Sequence, residues 1–511
     1  QQSKVDTARI INYPLPEVLL YNGMDTKWTD ASAQALRCEL ARPGWEWAER
    51  EYRRKLRLAP ALVETTAKGV LLDPAVALEQ QQALEKRLQD IKIEVARCPE
   101  VVQYTRRFGT FSVSNTTHVL TLMRTILQRP EVKVSDWDGT VSYTTGDDAL
   151  SVMPDDEVPS ARLILEQRRI EKLLGTYVYK LTGQGINDKG EPIPSVIADD
   201  GCVHAQLSST VAVTGRLASE DPNIQNIPTR TEEGRRVRKA FIPPPDHVFC
   251  AADYGQIEAR LIGMLSEDET LMRYQWTDYD IHLVWANRIL ELYPPIKDWV
   301  VRTVGVDWDE KGVKALRQEM KNKWVFPKFF GALSNSCADD LGHVPYEITD
   351  IMEAEFWEEF PGVLRWQERL VRAYEKNLYV EVVGGPRRTG PMNRNKIINT
   401  PVQGGAAVLV QAAMAELAEF AYETGRTEFT PNLNVHDDLS TMIATYHLDE
   451  TLDEYAKIMC RPRFDWITVP LLVETKIGPN WMELKPYLGP GAQGHKEYRS
   501  DVLYNLANPF K

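Results

Sequence analysis

The chain has 511 residues, enough for three or four domains or subdomains with sizeable cores. With 43% hydrophobic and 26% charged residues, its composition is that of an ordinary globular protein and excludes a disordered tail, a collagen-like repeat and a small disulfide scaffold. The 60 Lys and Arg against 73 Asp and Glu leave a formal charge of −13, which argues against coating nucleic acid through bulk charge but allows a locally basic groove.

Residues 1–50 are mixed, carry Trp28, Trp45 and Trp47, and end near the turn signal Arg42-Pro43-Gly44. The first residue is Gln and no signal-peptide pattern is present, so a processed or truncated cytoplasmic product is expected. From Glu49 to Glu94 the helical period dominates, broken at Lys68 to Pro74 by a short strand and turn. Glu79 to Val95, rich in strong helix formers, predicts a long exposed helix. Residues 131–148 read as loop, and Arg162 to Tyr179 as a basic helix. Val196 to Val213 alternates like a hairpin, and His247 to Asp253 like a buried strand. Residues 291–315, with Pro294, Pro295, Gly305 and Gly312, suggest an inserted loop or small subdomain. Ala406 to Ala418 is apolar but carries Gln411 and Glu416, predicting a buried helix rather than a membrane span. Leu433 to Ile443 and Val469 to Lys476 predict further strands. Strands separated by long helical excursions indicate an α+β core with helical subdomains. Six scattered cysteines, with no paired Cys/His spacing, suit a reducing compartment and disfavour zinc.

The sharpest chemical feature is Asp253, which ends an apolar strand in Ala252-Asp253-Tyr254-Gly255-Gln256-Ile257-Glu258. Far downstream, Val435-His436-Asp437-Asp438-Leu439 places an acidic pair on a tight hairpin. Carboxylates brought together at strand ends are what a two-metal phosphoryl-transfer site needs, since Mg²⁺ prefers hard oxygen ligands. Alone, an Asp at a strand end is more often a turn or helix cap.

The wording of these segments goes further. Asp253 to Glu258 resembles motif A of family A DNA polymerases, the bacterial DNA polymerase I type, and Val435 to Asp438 resembles motif C. Thr214 to Pro228, Arg230 to Arg236, Asp280-Ile281-His282, Phe360 to Val363, Asn399 to Gly404 and Gly478 to Trp481 match the family in the same order, over about residues 50–485. The resemblance implies a DNA-templated DNA polymerase with a right-hand fold. A remnant of a 3′–5′ exonuclease domain would occupy 1–50, the thumb 51–195, the palm 196–264 and 400–511 (with the C-terminal tail), and the fingers 265–399.

By the same resemblance, Asp253, Asp437 and Asp438 form the catalytic set. Asp253, Asp437 and the backbone carbonyl of Tyr254 would hold two Mg²⁺ ions, with Mn²⁺ as a substitute. Asp438 stands where the family more often has Glu, and its shorter arm ranks it as supporting. Gln256, Glu258, His282, Arg317, Lys321, Phe326 and Phe330 would bind the deoxynucleoside triphosphate. Glu258 would stand against C2′ of its sugar, and Phe326 implies poor use of dideoxynucleotides. Arg216, Asn223, Gln225, Arg236, Asn399, Gln403, His436 and Lys172 would contact primer–template DNA, with Thr176, Tyr177, Arg235 and Arg238 as further phosphate candidates. Phe330 replaces a more usual Tyr.

Two departures carry a structural expectation. Lys321 to Phe326 is an i to i+5 step where the family has i+4, and Pro327 stands where a small residue is usual. One extra residue in a helix is absorbed as a π-bulge, and Pro kinks it. A bulged or kinked fingers helix is therefore expected.

Tyr21 to Asp25 is similar to the last motif of the proofreading exonuclease, whose earlier motifs do not appear. No proofreading by this chain alone is expected, with a separate 3′–5′ exonuclease or other replisome proteins as partners, no membrane, a monomeric state, and host cytoplasm if the source is viral. Glu258 weighs against a single-subunit RNA polymerase. Intact Asp253, Asp437, Arg317 and Lys321 weigh against an inactive DNA-clamping scaffold.

Overall fold

A computed structural model describes the chain except residues 1–14, 129–131, 135–140, 147–149, 151–152, 154–157, 188, 230, 278, 489–498, 505–506 and 511. Half of the loop expected at 131–148, Arg230 and much of the tail beyond 486 thus lie outside the described residues, and within that expected loop Val132–Val134 instead pairs antiparallel with Val141–Tyr143.

The centre is a five-stranded antiparallel sheet. Its strands are β1 (His247–Tyr254), β2 (Leu433–Val435), β3 (Asp438–Ala444), β4 (Val473–Gly478) and β5 (Lys485–Pro486), in the order β2-β3-β1-β4-β5. Strand alternation divides β1 between two interiors. Cys250, Ala252 and Tyr254 join one core with Leu439, Ile443 and Val473, whereas Phe249 joins a second with Leu433, Met442 and Trp481. On the Phe249 face, successive cross-strand rows read Met442–Phe249–Gly478, Ser440–Ala251–Lys476 and Asp438–Asp253–Glu474. The same face that starts as an apolar floor ends, four residues on, in three carboxylates.

The longer helices before the sheet include α1 (Leu15–Leu40), α2 (Glu46–Lys68), α3 (Pro74–Arg97) and α4 (Pro159–Leu173). Asp73 caps α3, accepting from the Ala75 and Val76 amides, and Pro74 occupies its first turn, as the turn signal there requires. The expected exposed helix is amphipathic instead. Ala77, Leu84, Leu88, Ile91 and Val95 are buried in the second core, where α3 packs on α4, because these apolar positions recur at helical spacing between the charges. The alternation expected at 196–213 closes on itself only in its first half, where Ile197 bridges Val203 antiparallel and the Ala198 amide donates to the Cys202 carbonyl at 2.9 Å. Gln206–Ser208 pairs forward with Ala218–Glu220, since the intervening Thr214-Gly215 turn lies beyond the predicted hairpin.

Downstream lie α5 (Ile257–Ser266), α6 (Ile281–Leu292), α7 (Glu310–Met320), α8 (Arg394–Thr424) and α9 (Leu448–Cys460). By length and apolarity α8 could cross a membrane, but 83% of its most apolar window is buried, with α2 packed along it, so the expected buried helix is found. Residues 291–315 contain a helix, Ile296–Val304, whose Ile296 and Val300 are fully buried in the first core. Trp299 of that helix lies under the Lys323 ammonium at 4.5 Å, so the segment braces the back of α7. None of the six cysteines, all among the described residues, forms a disulfide.

Candidate active site

Two chain segments meet at the carboxylates. His436 and Asp437 form a two-residue turn between β2 and β3, with Val435 opposite Asp438 and His436 at φ +57°, the left-handed geometry that lets a tight hairpin follow the sheet twist. Asn434 holds the turn from behind, donating to the carbonyls of His436 (3.1 Å) and Asp438 (3.0 Å). The Tyr254 amide donates to the Asp437 carbonyl at 3.4 Å, which ties the hairpin to the end of β1. Asp253 stands directly opposite Asp438 on one side and Glu474 on the other. Such opposed side chains have Cβ atoms about 5 Å apart and share one face of the sheet.

This crowding costs free energy whenever the carboxylates are charged. Withdrawal from water and the neighbouring Glu474 push Asp253 up to about 6, although its side chain opens on the cleft. Burial, together with Asp253 and Glu258, raises Asp437 to about 6, against the pull of Arg216. Asp438 rises to about 8 through burial and Asp253, even with Ser440 donating to it. The folded state therefore binds protons more tightly than the unfolded chain, whose carboxyls titrate near 3.8. Without metal, stability should rise as pH falls from above 8 toward 4. We expect Asp438→Asn to raise the melting temperature in chelator at pH 8.5 by roughly 1–3 °C and to flatten its pH dependence. Thermal melts from pH 5 to 8.5 check this, and an unchanged profile would refute the cost assigned to Asp438.

The facing wall comes from α6, α7 and residues 321–330 at the end of α7. Asp280 caps α6, accepting from the Leu283 amide, and also accepts from Arg317 Nε at 2.7 Å, which fixes the guanidinium. After Met320 the helix widens into a π turn at Lys321–Val325 and resumes as Phe326–Phe329, so the expected bulge is present. The wider turn keeps residues five apart on one face, and Lys321 Nζ lies 5.6 Å from the centre of the Phe326 ring. Phe326 stacks on Phe330 and packs against the His282 ring. His282 is buried with both ring nitrogens unpartnered, and burial with Lys321 and Arg317 pushes it down to about 4, so it is a neutral imidazole. Gln256, His282, Arg317, Phe326, Phe329 and Glu474 are among the residues lining a cavity of about 200 Å³ beside the carboxylates.

Glu258, in the first turn of α5, pairs with Arg216 at 2.7 Å. Gln256 precedes that helix at φ +53° with an exposed side chain. Tyr254 turns its ring inward, its hydroxyl donating to the Met459 carbonyl. Asn399 and Asn223 each keep a buried side-chain oxygen without a donor, Gln403 is half-buried on α8 and His436 is exposed. Lys172 is exposed on the rim of a groove of about 570 Å³ that Arg162, Tyr177 and Thr231 help to line, and Arg236 pairs with Glu232 at its edge.

Three expected DNA contacts are spent elsewhere. Gln225 is buried and donates to Asn434, so it supports the hairpin from within. Arg238 is buried over Trp481 and donates to the Ile227 carbonyl, because its helix packs that face on the second core. The buried Tyr177 hydroxyl donates to the Asn226 carbonyl. Sequence reasoning missed Glu474, whose only signal was its place in a predicted strand; the register that sets it beside Asp253 is not a local property.

A sequence profile described as DNA polymerase family A matches residues 77–483. The chain belongs to DNA polymerase family A. Relatives in the family include DNA polymerase I of Chloroflexus aurantiacus, 31% identical over 340 residues, which are 64% of this chain and 33% of the relative. The thermostable DNA polymerase I of Thermus aquaticus is 31% identical over 339 residues, 64% of this chain and 37% of that one. The chain thus spans about a third of the length of the curated relatives it matches. Among solved structures, the POL domain of Pol1 from M. smegmatis, in complex with DNA primer-template and dNTP, superposes with a TM-score of 0.70 at 25% identity, covering 88% of this chain and 73% of that one. The α+β polymerase fold expected for a family A member is the fold observed.

Proposed function

We propose that the chain is a DNA-templated DNA polymerase that extends a primer 3′-hydroxyl with deoxynucleoside triphosphates and releases pyrophosphate. The observation that carries this reading is the meeting of Asp253 and Asp437 beside a cavity walled by Arg317 and His282. The family relationship and the neighbour's primer-template and dNTP complex support it.

The carboxylates suit a pair of Mg²⁺ ions, or Mn²⁺ in their place. Crowded carboxylates with raised proton affinity are short of positive charge, and cations relieve that shortage. Among the described residues no group of three or more His, Cys, Asp or Glu side chains is arranged to enclose a metal, so Asp253 and Asp437 form an open platform. Asp253, Asp437 and the Tyr254 carbonyl would hold such ions, since Mg²⁺ needs only one or two carboxylates from the protein. Bound there, the ions would lower the pKa of the primer hydroxyl and neutralise the departing pyrophosphate.

The chain's own groups do the rest. Lys321 and Arg317 place two cations along the triphosphate. Phe326 and Phe330 provide an apolar wall beside the nucleotide. Glu258 stands against the sugar, where a 2′-hydroxyl would be left poorly paired. Asn399, Gln403, His436 and Arg216 are polar groups suited to the minor groove, where correct pairs present similar acceptors, so binding is sequence-neutral. Lys172 and Arg236 serve phosphates, which carry affinity without sequence information. The domain assignment into thumb, palm and fingers belongs to this reading. So do a monomeric state, a separate 3′–5′ exonuclease partner, the absence of proofreading by residues 1–511, and a cytoplasmic setting, for which cysteines that form no disulfide suit a reducing compartment.

The test is extension of a labelled primer on DNA and RNA templates with deoxy- or ribonucleotides, in Mg²⁺ or chelator. Metal-dependent extension on DNA with deoxynucleotides is expected. Failure to extend in Mg²⁺ and Mn²⁺ would refute the reading, and shortening of a 5′-labelled primer from its 3′ end would refute the absence of proofreading.

A further inference from the structure

The C-terminal tail returns at residues 499–504 to the seam between the two walls of the nucleotide cavity. Leu472 bridges Arg499 antiparallel, and the Ser500 amide donates to the Leu471 carbonyl at 2.9 Å. The Leu471 amide answers by donating to the fully buried Ser500 hydroxyl at 2.7 Å. Leu471 and Leu472 lead directly into β4, which carries Glu474, and the Leu472 carbonyl accepts from the Gly255 amide at 2.8 Å. A Cβ on Gly255 would lie 2.8 Å from Leu472, so the backbone beside Gln256 rests directly on that side chain. On the facing side, Arg499 donates to the Trp276 carbonyl at 3.0 Å, in the last turn of the helix Glu269–Thr277. Carbonyls of a last turn have no partner within their own helix, so a donor there fixes where the helix ends. Four residues beyond Trp276 stands Asp280, which holds the Arg317 guanidinium. The Tyr504 hydroxyl donates to the Lys457 carbonyl in α9 at 2.5 Å and pins the far end of the segment. Arg499 is only 5% exposed and lines the cavity together with Gln256, Asp280, Arg317 and Glu474.

We propose that residues 499–504 form a strap that holds the sheet wall (Gln256, Glu474) and the facing wall (Asp280, Arg317) at the spacing a nucleoside triphosphate requires, with Arg499 as its positioning residue. The inference rests on the polymerase reading above and deepens it. Asp501 accepts from Arg499 Nε at 3.0 Å and from a terminal nitrogen at 3.3 Å, so the Arg499 charge is already answered and its part is geometric. A guanidinium at this depth is costly unless its fork is met, and a side-on carboxylate plus a helix-end carbonyl meet it in one orientation. A strap acts only while both attachments hold. Released from Trp276, the helix end and Asp280 shift, and Arg317 loses its aim. Released from Leu471, the support under Gly255 and Gln256 loosens. Either break leaves the cavity to be re-formed at each binding event, which weakens nucleotide binding. The chemistry on bound nucleotide, set by Asp253 and Asp437, is untouched.

The measurement is single-nucleotide extension over a range of nucleotide concentrations, with duplex affinity followed by fluorescence anisotropy. Arg499→Met should raise KM for the nucleotide about tenfold, the factor for losing one charge-assisted hydrogen bond, with kcat and duplex affinity within about threefold. Ser500→Ala, which weakens the other attachment, should raise KM by about threefold and serves if the Met variant does not fold. The double variant should exceed the larger single effect by no more than about twofold, because a strap parted at one end loses little at the other. Arg499→Lys keeps a donor for the Trp276 carbonyl and should recover most of the KM. An unmoved KM with a lowered kcat or fewer active sites would mark the segment as packing alone and overturn the proposal. Effects of the two cuts that multiply would overturn it as well. A wild type that does not extend refutes the polymerase reading and the strap's role with it, whereas a wild type that extends with a KM no variant moves refutes the strap alone.

Discussion

Asp253→Asn is expected to lower primer extension by roughly 10³–10⁵-fold while leaving affinity for primer–template duplex within about threefold. The size reflects the carboxylate's task. A cation at the reacting phosphate contributes several kcal/mol of charge stabilisation, and each ~1.4 kcal/mol is a factor of ten. Asn keeps the shape and one acceptor but removes the charge from the position flanked by Asp438 and Glu474. Duplex affinity is carried by phosphate contacts elsewhere, and losing a negative charge at the cleft floor does not weaken them. Single-turnover extension and fluorescence anisotropy give the two numbers, and an undiminished rate would remove Asp253 from the metal site.

Lys321→Met should cost about 10²–10³ in kcat/KM for the nucleotide, with both constants affected. Charge-assisted hydrogen bonds are worth ~1.5–3 kcal/mol, and a cation at the triphosphate serves both binding and the charge that develops during transfer. The π turn at Lys321–Val325 puts this ammonium beside Phe326 rather than a step round the helix. Arg317 is already engaged by Asp280 and does not fill the gap. Losing Lys321 also removes one of the charges that depress His282, whose proton affinity should recover part of the way toward an ordinary imidazole. Nucleotide titrations in a rapid-quench assay would show the loss, and an unchanged kcat/KM would remove Lys321 from the triphosphate site.

What the sequence disclosed about this site was mainly local. The strand ending at Asp253, the two-residue turn at His436 and Asp437, and the extra residue between Lys321 and Phe326 are counts within one segment, and each appears in the fold. Relations between segments were hidden. Glu474 reaches Asp253 only through the register of β4 on β1, and Arg216 meets Glu258 across 42 residues. Gln225 and Arg238 look like surface polar residues until the hairpin and Trp481 close over them. The segment 291–315 carried loop signals in its prolines and glycines, yet Ile296 and Val300 find an apolar face and a helix forms between them.

The alternation along β1 also bears on which changes of length the gene can survive. One codon inserted between Phe249 and Asp253 would send the carboxylate into the apolar interior and turn the Tyr254 ring out to the cleft. Two codons would restore parity but carry the carboxylate about 7 Å along the strand, past its partners on β3 and β4. Libraries that vary length should therefore leave this strand untouched and work instead in connections such as 305–309, where a frame-preserving insertion alters neither face of the sheet.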